Sequence, residues 1–487
     1  MIRRIALRNF RAFKSCEFPF SKINIFVGPN NSGKSSALSA INVIAQSVKD
    51  SQTGSPITLR GKYQDLGTYI DVVHGSIPRT VMGIDIDISE YSFRFDFKYR
   101  TLRKDIEVQR YEITYNDTPL FLYKAAKDKY DIRYLGKPFE HFFPSGAKRK
   151  PDFSGFLLDD PNLRQITPYR DKSHPKFTEI PQKEYRDLFQ AQQLIVRARR
   201  YLAHEFDRFD SLSPFRAPPE RTFLFSGETP NEVGKDGAKA VDMLVADSFT
   251  RGSINKRILD GVCEWFKATG MANELAVKPL TSRHFEIVVI SDDGEHNLCD
   301  VGFGCSQVLP VLVGGLNLFL RQDNKKVSDP IYMVQEPEIH LHPNAQAELG
   351  SFFSKLCQAG GQIFLETHSD NLILRLQQHI ANGDLNGEDV KVFFVRNGEE
   401  GKKEVTELSL NEEGIFDKEM PGGFFPQRQR ESLALAKAAA ARRKRMGETL
   451  SAAEKKKMAG SELPPVDSEP PVKPRKSAAK TRRGDQS

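Results

Sequence analysis

Eight consecutive residues, Gly28-Pro29-Asn30-Asn31-Ser32-Gly33-Lys34-Ser35, could do chemistry as a unit. They match the pattern G-x-x-x-x-G-K-[ST], whose glycines let backbone N–H groups wrap phosphates at a helix N-terminus. Lys34 brings positive charge to β and γ phosphates, and the Ser35 hydroxyl, followed by Ser36, is suited to ligating magnesium. Such a loop needs a carboxylate at the end of a second buried strand. Ile331-Tyr332-Met333-Val334-Gln335-Glu336-Pro337-Glu338 supplies Glu336 and Glu338 after four apolar residues, at the strand end where open α/β sheets bind ligands. In Ile363-Phe364-Leu365-Glu366-Thr367-His368-Ser369 a histidine stands just past another apolar strand. Asp300-Val301-Gly302-Phe303-Gly304-Cys305-Ser306-Gln307 is a glycine-bearing turn before an apolar helix expected from about Val308. Its N–H groups suit a second phosphate contact.

Periodicity supplies the elements that position these residues. Ile2, Ile5 and Leu7 mark an opening strand, and Ile23 to Val27 is a β-branched run ending at Gly28. Helical spacing follows from Ser35 to Ile44, so the eight residues form a strand-to-helix loop. Ile84, Ile86 and Ile88, then Phe93, Phe95, Phe97 and Tyr99, alternate with polar residues as an antiparallel hairpin with one wet face. Six prolines between Pro138 and Pro175, with no sustained heptads, exclude a long coiled-coil arm there. Leu188, Ala191, Ile195, Ala198 and Leu202 make an apolar helical stripe between Lys183 and Phe209, fitting a lid or a partner-docking insertion. Phe285 to Ile290 turns at Asp292-Asp293-Gly294 as a last hairpin. Ile331 to Val334, Ile363 to Leu365 and Val390 to Val395 suit buried parallel strands. Ser432 to Met446 is Ala-rich and helix-compatible, and Gly460 to Ser487 has the composition of disorder.

With 39% hydrophobic and 28% charged residues over 487 positions, the chain is long enough for more than one globular unit. No stretch approaches the ~18 uninterrupted apolar residues of a spanning helix, and no signal-like segment opens it, so the expected setting is cytoplasmic and away from membranes. Five cysteines without C-x-x-C spacing suit reduced thiols. The net charge of +7 is unevenly placed: Arg428 to Ser487 holds 16 Lys/Arg against 7 Asp/Glu, while the rest holds 55 against 57. The tail's basic clusters lack interleaved aromatics, so they suit phosphate contact with DNA but not base stacking, or serve as a solvated extension.

Together with Asn9-Phe10-Arg11 and Glu336-Pro337-Glu338-Ile339-His340-Leu341-His342-Pro343, these motifs resemble an ABC-type ATPase head of the OLD (overcoming lysogenisation defect), RecF and SMC-like class. The resemblance covers most of residues 1–425, and Pro421-Gly422-Gly423-Phe424-Phe425 looks like the end of a bacterial subgroup written as AAA-family proteins. It implies a head-to-head dimer with two ATP molecules at the interface. Each ATP is held by Gly28 to Ser36 of one subunit and by the signature turn of the other, here Gly302, Gly304 and Ser306. It further implies Lys34, Glu336 (the general base) and His368 (the γ-phosphate sensor) as catalytic residues, and Leu341 to Pro343 as a loop touching the opposite subunit. Magnesium falls to Ser35, with Gln335 where the class has an acid and Glu338 assisting. Gly302 stands where many relatives have a serine. Slow, dimer-dependent hydrolysis is expected.

Other clusters leave two readings open. His340 and His342 suit a metal or a packed interface loop, the latter preferred. Asp85 and Asp87 look like the D-x-D of TOPRIM nucleases, but are expected as solvated strand residues. Only 119 residues follow His368, leaving little room for an appended nuclease. Arg216 and Arg221 suit either nucleotide or partner contact, or surface salt bridges.

The expected fold is thus α/β: a P-loop NTPase ABC-type head with an antiparallel β lobe and a partly helical insertion. The expected divisions are 1–100 and 226–425 for the two parts of the head, 101–225 for the insertion, and 426–487 for the basic helix and tail. The expected function is an ATP-driven dimerisation switch in bacterial anti-phage defence with a separate effector such as a nuclease, as in ATPases of the Septu and PARIS type. The alternatives are a RecF-like DNA-repair or DNA-loading ATPase, and an ATP-binding scaffold without turnover.

Overall fold

The computed structural model describes residues 1–50, 54–126, 129–143, 147–165, 182–249, 257–320, 329–399, 402–418 and 437–438. The chain divides into Met1–Pro421 and Gly422–Ser487, and every strand described belongs to the first unit. The expected tail helix, the basic clusters and the Pro421–Phe425 motif lie outside the described residues, apart from residues 437–438.

Apolar β-branched and aromatic runs form a six-stranded sheet. Its order is Phe209–Leu212, Ile331–Gln335, Gln362–Glu366, Ile23–Val27, Val390–Asn397 and Lys403–Ser409. The first five strands are parallel and the last returns antiparallel. Residues 23–27 and 362–366 are buried at every position, as strands covered on both faces must be. The helix Lys34–Lys49 after the first strand is buried along nearly its whole length.

A second, eight-stranded antiparallel sheet begins with the hairpin Ile2–Phe10 and Phe13–Pro19 and continues through Met82–Ile88, Tyr91–Arg100, Asp105–Tyr115, Thr118–Ala125, Tyr130–Tyr134 and Lys137–Pro138. The sheet runs past residue 100 without a break, so residues 105–138 extend the β lobe. The helix Gln182–Glu205 buries the expected stripe of Leu188, Ala191, Ile195, Ala198 and Leu202 against two of these strands and the helix Lys34–Lys49. The last hairpin also forms, with Ser291 opposite Gly294.

Two expectations change. Asp85 is buried rather than wet, and its carboxylate takes both terminal nitrogens of Arg8 at 2.5 and 2.8 Å, while Asp87 takes Arg4 Nε at 2.5 Å. The neighbouring strand Ile2–Phe10 places Arg4 opposite Asp87 and Arg8 diagonally from Asp85, covering these two carboxylates. The apolar helix starts at Phe303, not near Val308, and runs to Leu320. By length and composition it is the one helix among the described residues able to cross a membrane, although Ser306, Gln307 and Asn317 interrupt its apolar run. It is mostly buried in the core.

The two main sheets are joined by rings and by one amide. Phe18, Phe20, Phe26, Phe364 and Phe393 pack edge-to-face and stacked, with centroids 4.9–6.4 Å apart. Buried Gln362 accepts from the Ile2 N–H at 3.0 Å and donates to the carbonyls of Ile2 and Ser21 at 2.7 and 2.9 Å. An apolar side chain at 362 would take this partner from the Ile2 N–H and carbonyl in the interior, while the Ser21 carbonyl keeps the Asn24 amide at 2.7 Å. Gln362→Leu is expected to lower unfolding stability by about 2–3 kcal/mol, read by urea denaturation; a loss below about 0.5 kcal/mol would show that these bonds do not hold the sheets together.

Candidate functional site

Three strand ends converge at the C-terminal edge of the parallel sheet. The first runs into Gly28, whose φ of 141° and approach to the Val395 carbonyl exclude a side chain, since a Cβ would lie 2.0 Å from that oxygen. Asn31 and Gly33 also take positive φ, 60° and 112°, and Gly33 caps the helix that begins at Lys34. Pro29, Asn30 and Asn31 are exposed at the tip of the loop. Lys34 folds back, donating from Nζ to the Gly28 and Pro29 carbonyls at 2.9 and 3.0 Å. Its burial disfavours the charged form, opposed most by Glu366 and then by Glu336 and Glu338. Ser32 Oγ is buried without a hydrogen-bond partner, an open polar atom in a loop shaped to take an anion. Ser36 is buried with its N–H on the Gly33 carbonyl at 2.9 Å.

The second strand end places Gln335, Glu336 and Glu338. Glu336 adopts φ 47°, costly for a residue with a side chain, and buried Arg216 holds that turn. Its guanidinium donates to the Gln335 carbonyl at 2.9 Å and twice to the Glu336 carbonyl at 3.1 Å. Burial lowers its proton affinity, offset in part by Glu338 and Glu336 among its neighbours. Arg216 is therefore a buried clamp on the turn, whereas Arg221 is a surface salt bridge to Asp300. Glu338 is buried, accepts from the His368 N–H at 2.5 Å, and has its carboxyl pKa raised by burial.

The third strand ends in Glu366, a residue the motif reading quoted without a role. Its Oε1 accepts from Ser35 Oγ at 2.9 Å and lies 4.0 Å from Lys34 Nζ; its Oε2 accepts from Gln335 Nε2 at 2.8 Å. The missing acid at 335 was the available signal: a loop needing a carboxylate, with an amide where one belongs, directs attention to the acid on the next strand. His368 follows two residues later, held below the ordinary histidine range first by burial and then by Lys34.

The signature turn is not part of this cluster. Gly302 and Phe303 are exposed, Gly304 backs onto the His340 carbonyl, and Ser306 Oγ donates to the Phe303 carbonyl at 2.9 Å. Among the described residues, no hydrogen bond joins Gly302, Gly304 or Ser306 to Gly28–Ser36. Leu341 is buried, leaving His342 and Pro343 exposed. Among the described residues, no group of three or more His, Cys, Asp or Glu is arranged to hold a metal, so His340 and His342 form no such cluster.

Burial and Lys34 both oppose protonation of His368, so its titration midpoint is expected below the usual ~6.5, leaving a neutral ring at pH 7. Lys34→Met removes the second cause and is expected to raise the midpoint. A midpoint at or above the usual value, or one insensitive to Lys34→Met, measured by NMR, would contradict this electrostatic arrangement.

Among known structures, the chain is similar to an SmcHead bound to the C-winged helix domain of ScpA, at 14% identity and TM-score 0.37, covering 84% of this chain and 98% of that one. It is also similar to an Smc head domain with an extended coiled coil bound to the C-terminal domain of ScpA derived from Pyrococcus furiosus, at 13% identity, TM-score 0.37 and 84% and 96% coverage. An SMC head domain from Thermotoga maritima matches at 10% identity, TM-score 0.34 and 83% and 98% coverage. No curated protein matches the chain. Residues 23–375 match the family described as "AAA domain, putative AbiEii toxin, Type IV TA system". That span holds the phosphate loop, the Gln335–Glu338 turn and His368, and the chain belongs to this family of P-loop ATPases.

Proposed function

We propose that the chain binds and hydrolyses ATP and works as a nucleotide-driven switch. The observation carrying this reading is the convergence of the phosphate loop, the clamped Glu336 and His368 at one sheet edge. Backbone N–H groups of 28–34 and the helix N-terminus bind the phosphates. Lys34 exchanges its two carbonyl partners for phosphate oxygens, and Ser32 gains a partner for its hydroxyl. Glu336 takes the proton of the attacking water, and the His368 ring N–H donates to the γ-phosphate. Bound magnesium neutralises charge on the β and γ phosphates, and Ser35 Oγ is a protein group that fits it.

The signature residues Gly302, Gly304 and Ser306 serve the site of a second copy in this reading. Supporting this is the exposure of Gly302 and Phe303 away from their own phosphate loop. Two copies close over ATP and separate after hydrolysis. We further place the switch in the cytoplasm and in bacterial anti-phage defence beside a separate effector protein, a direction supported by the toxin–antitoxin wording of the family description. A DNA-directed role is the second reading, favoured by exposed Arg186, Arg197, Arg199 and Arg200 on the helix Gln182–Glu205.

The test is ATP turnover with magnesium, with and without duplex DNA, using Lys34→Ala as the blank. Glu336→Gln is expected to reduce turnover by about 100-fold or more while ATP binding and ATP-dependent dimers persist in sedimentation. DNA-stimulated turnover would favour the second reading; ATP binding with no turnover above the blank would sink hydrolysis and leave a scaffold.

A further inference from the structure

The phosphate loop needs an anionic magnesium ligand, and position 335, where the strand Ile331–Gln335 ends, carries a neutral amide. We infer that Glu366, on the neighbouring strand, is the carboxylate that holds the divalent cation with Ser35, and that Gln335 is its positioning residue. This rests on the ATP-binding reading above.

Sheet order favours Glu366. The strand Gln362–Glu366 lies directly beside Ile23–Val27, while Ile331–Gln335 lies one strand further out, and each strand adds about 4.8 Å. Glu366 is consequently the acid in hydrogen-bond contact with Ser35 Oγ, at 2.9 Å. It is also the largest favourable charge acting on Lys34.

Of the rival groups, Glu338 is tied through one of its two carboxylate oxygens and Gln335 through its amide. Glu338 Oε1 accepts the His368 N–H at 2.5 Å. Gln335 donates its amide to Glu366 Oε2 at 2.8 Å; a carboxylate only accepts, so the amide nitrogen must face it. That bond turns Oε1 toward Ser35 and Lys34. Glu366 is buried, at 4% exposure, and its charge is met within 4.0 Å by one cation, Lys34. Magnesium usually takes one or two carboxylates and fills its remaining positions with phosphate and water. One carboxylate and one hydroxyl fit that habit, as does the absence, among the described residues, of a larger acidic cluster.

The experiment measures binding of a fluorescent ATP analogue to the full chain, once with excess Mg²⁺ and once with EDTA, and takes the ratio of affinities. Wild type is expected to bind more tightly with Mg²⁺. Glu366→Gln is expected to lower the ratio by about 10–100-fold, and Gln335→Ala, which frees the carboxylate to rotate, by about tenfold. Glu338→Gln is expected to keep it. If Glu366→Gln does not fold by circular dichroism, Glu366→Asp replaces it, with an expected loss of about tenfold from the shortened reach. Direct Mn²⁺ binding in the nucleotide complex, followed by electron paramagnetic resonance, gives a second readout, in which Glu366→Gln or Glu366→Asp weakens the metal. A ratio unchanged in the Glu366 variant, or lost in Glu338→Gln instead, overturns the assignment. No analogue binding by wild type under either condition overturns the ATP-binding reading itself.

Discussion

The paired hydrogen bonds that Glu366 accepts from Ser35 and Gln335 tie together three segments with no sequence neighbourhood: the phosphate-loop helix and the ends of two parallel strands. A buried carboxylate is expensive unless compensated, and removing one partner of a buried charge costs far more than the pair itself contributes. Here the compensation is distributed over a hydroxyl, an amide and the Lys34 ammonium. They come from two segments, the phosphate-loop helix and the strand Ile331–Gln335, so these contacts set the register of the site's parts. Because the parallel sheet supplies only the ends of its strands to this edge, the register of Gln335 against Glu366 decides which side chains meet the loop.

A second linkage runs outward along the segment between the strand Phe209–Leu212 and the short strand Phe223–Leu224. Arg216 grips the carbonyls of Gln335 and Glu336, and five residues later Arg221 forms a bidentate pair with Asp300 at the head of the signature turn. The two ends of this strap differ in energetic weight. The Asp300 pair is exposed and screened, contributing little to stability. The Arg216 contacts are buried and hold a backbone turn that would otherwise relax from its positive φ. A shift of the signature turn consequently loads a weak outer contact first, while the Glu336 turn keeps its stronger inner one.

Periodicity and buried-strand runs made most of the parallel sheet legible, because residues covered on both faces must be apolar throughout. The stripe from Leu188 to Leu202 was equally plain, since one face of that helix is core. The β lobe was only half legible. Asp85 and Asp87 alternate with isoleucines as solvated residues do, and nothing local reveals that Arg4 and Arg8, some eighty positions away, lie beside them. Long-range charge pairing defeats a period-two reading in this way. The site divides similarly: the glycine loop announces itself by motif, whereas the meeting of Gln335 with Glu366 depends on strand adjacency. Arg216 left nucleotide or partner contact and a surface salt bridge equally open, because its partners are carbonyl oxygens, which no side-chain pattern encodes.

Several groups at the sheet edge are held in costly arrangements. Ser32 Oγ, one Glu338 carboxylate oxygen and Arg216 Nε are buried without partners, and Glu336 sits at positive φ. Such costs of roughly 1–3 kcal/mol each are sustained only where surrounding packing over-determines them. The aromatic cluster along these strands and the Gln362 bonds at the N-terminal end of one of them supply that packing. The packed strands thereby carry a loop with three positive-φ residues and a buried lysine.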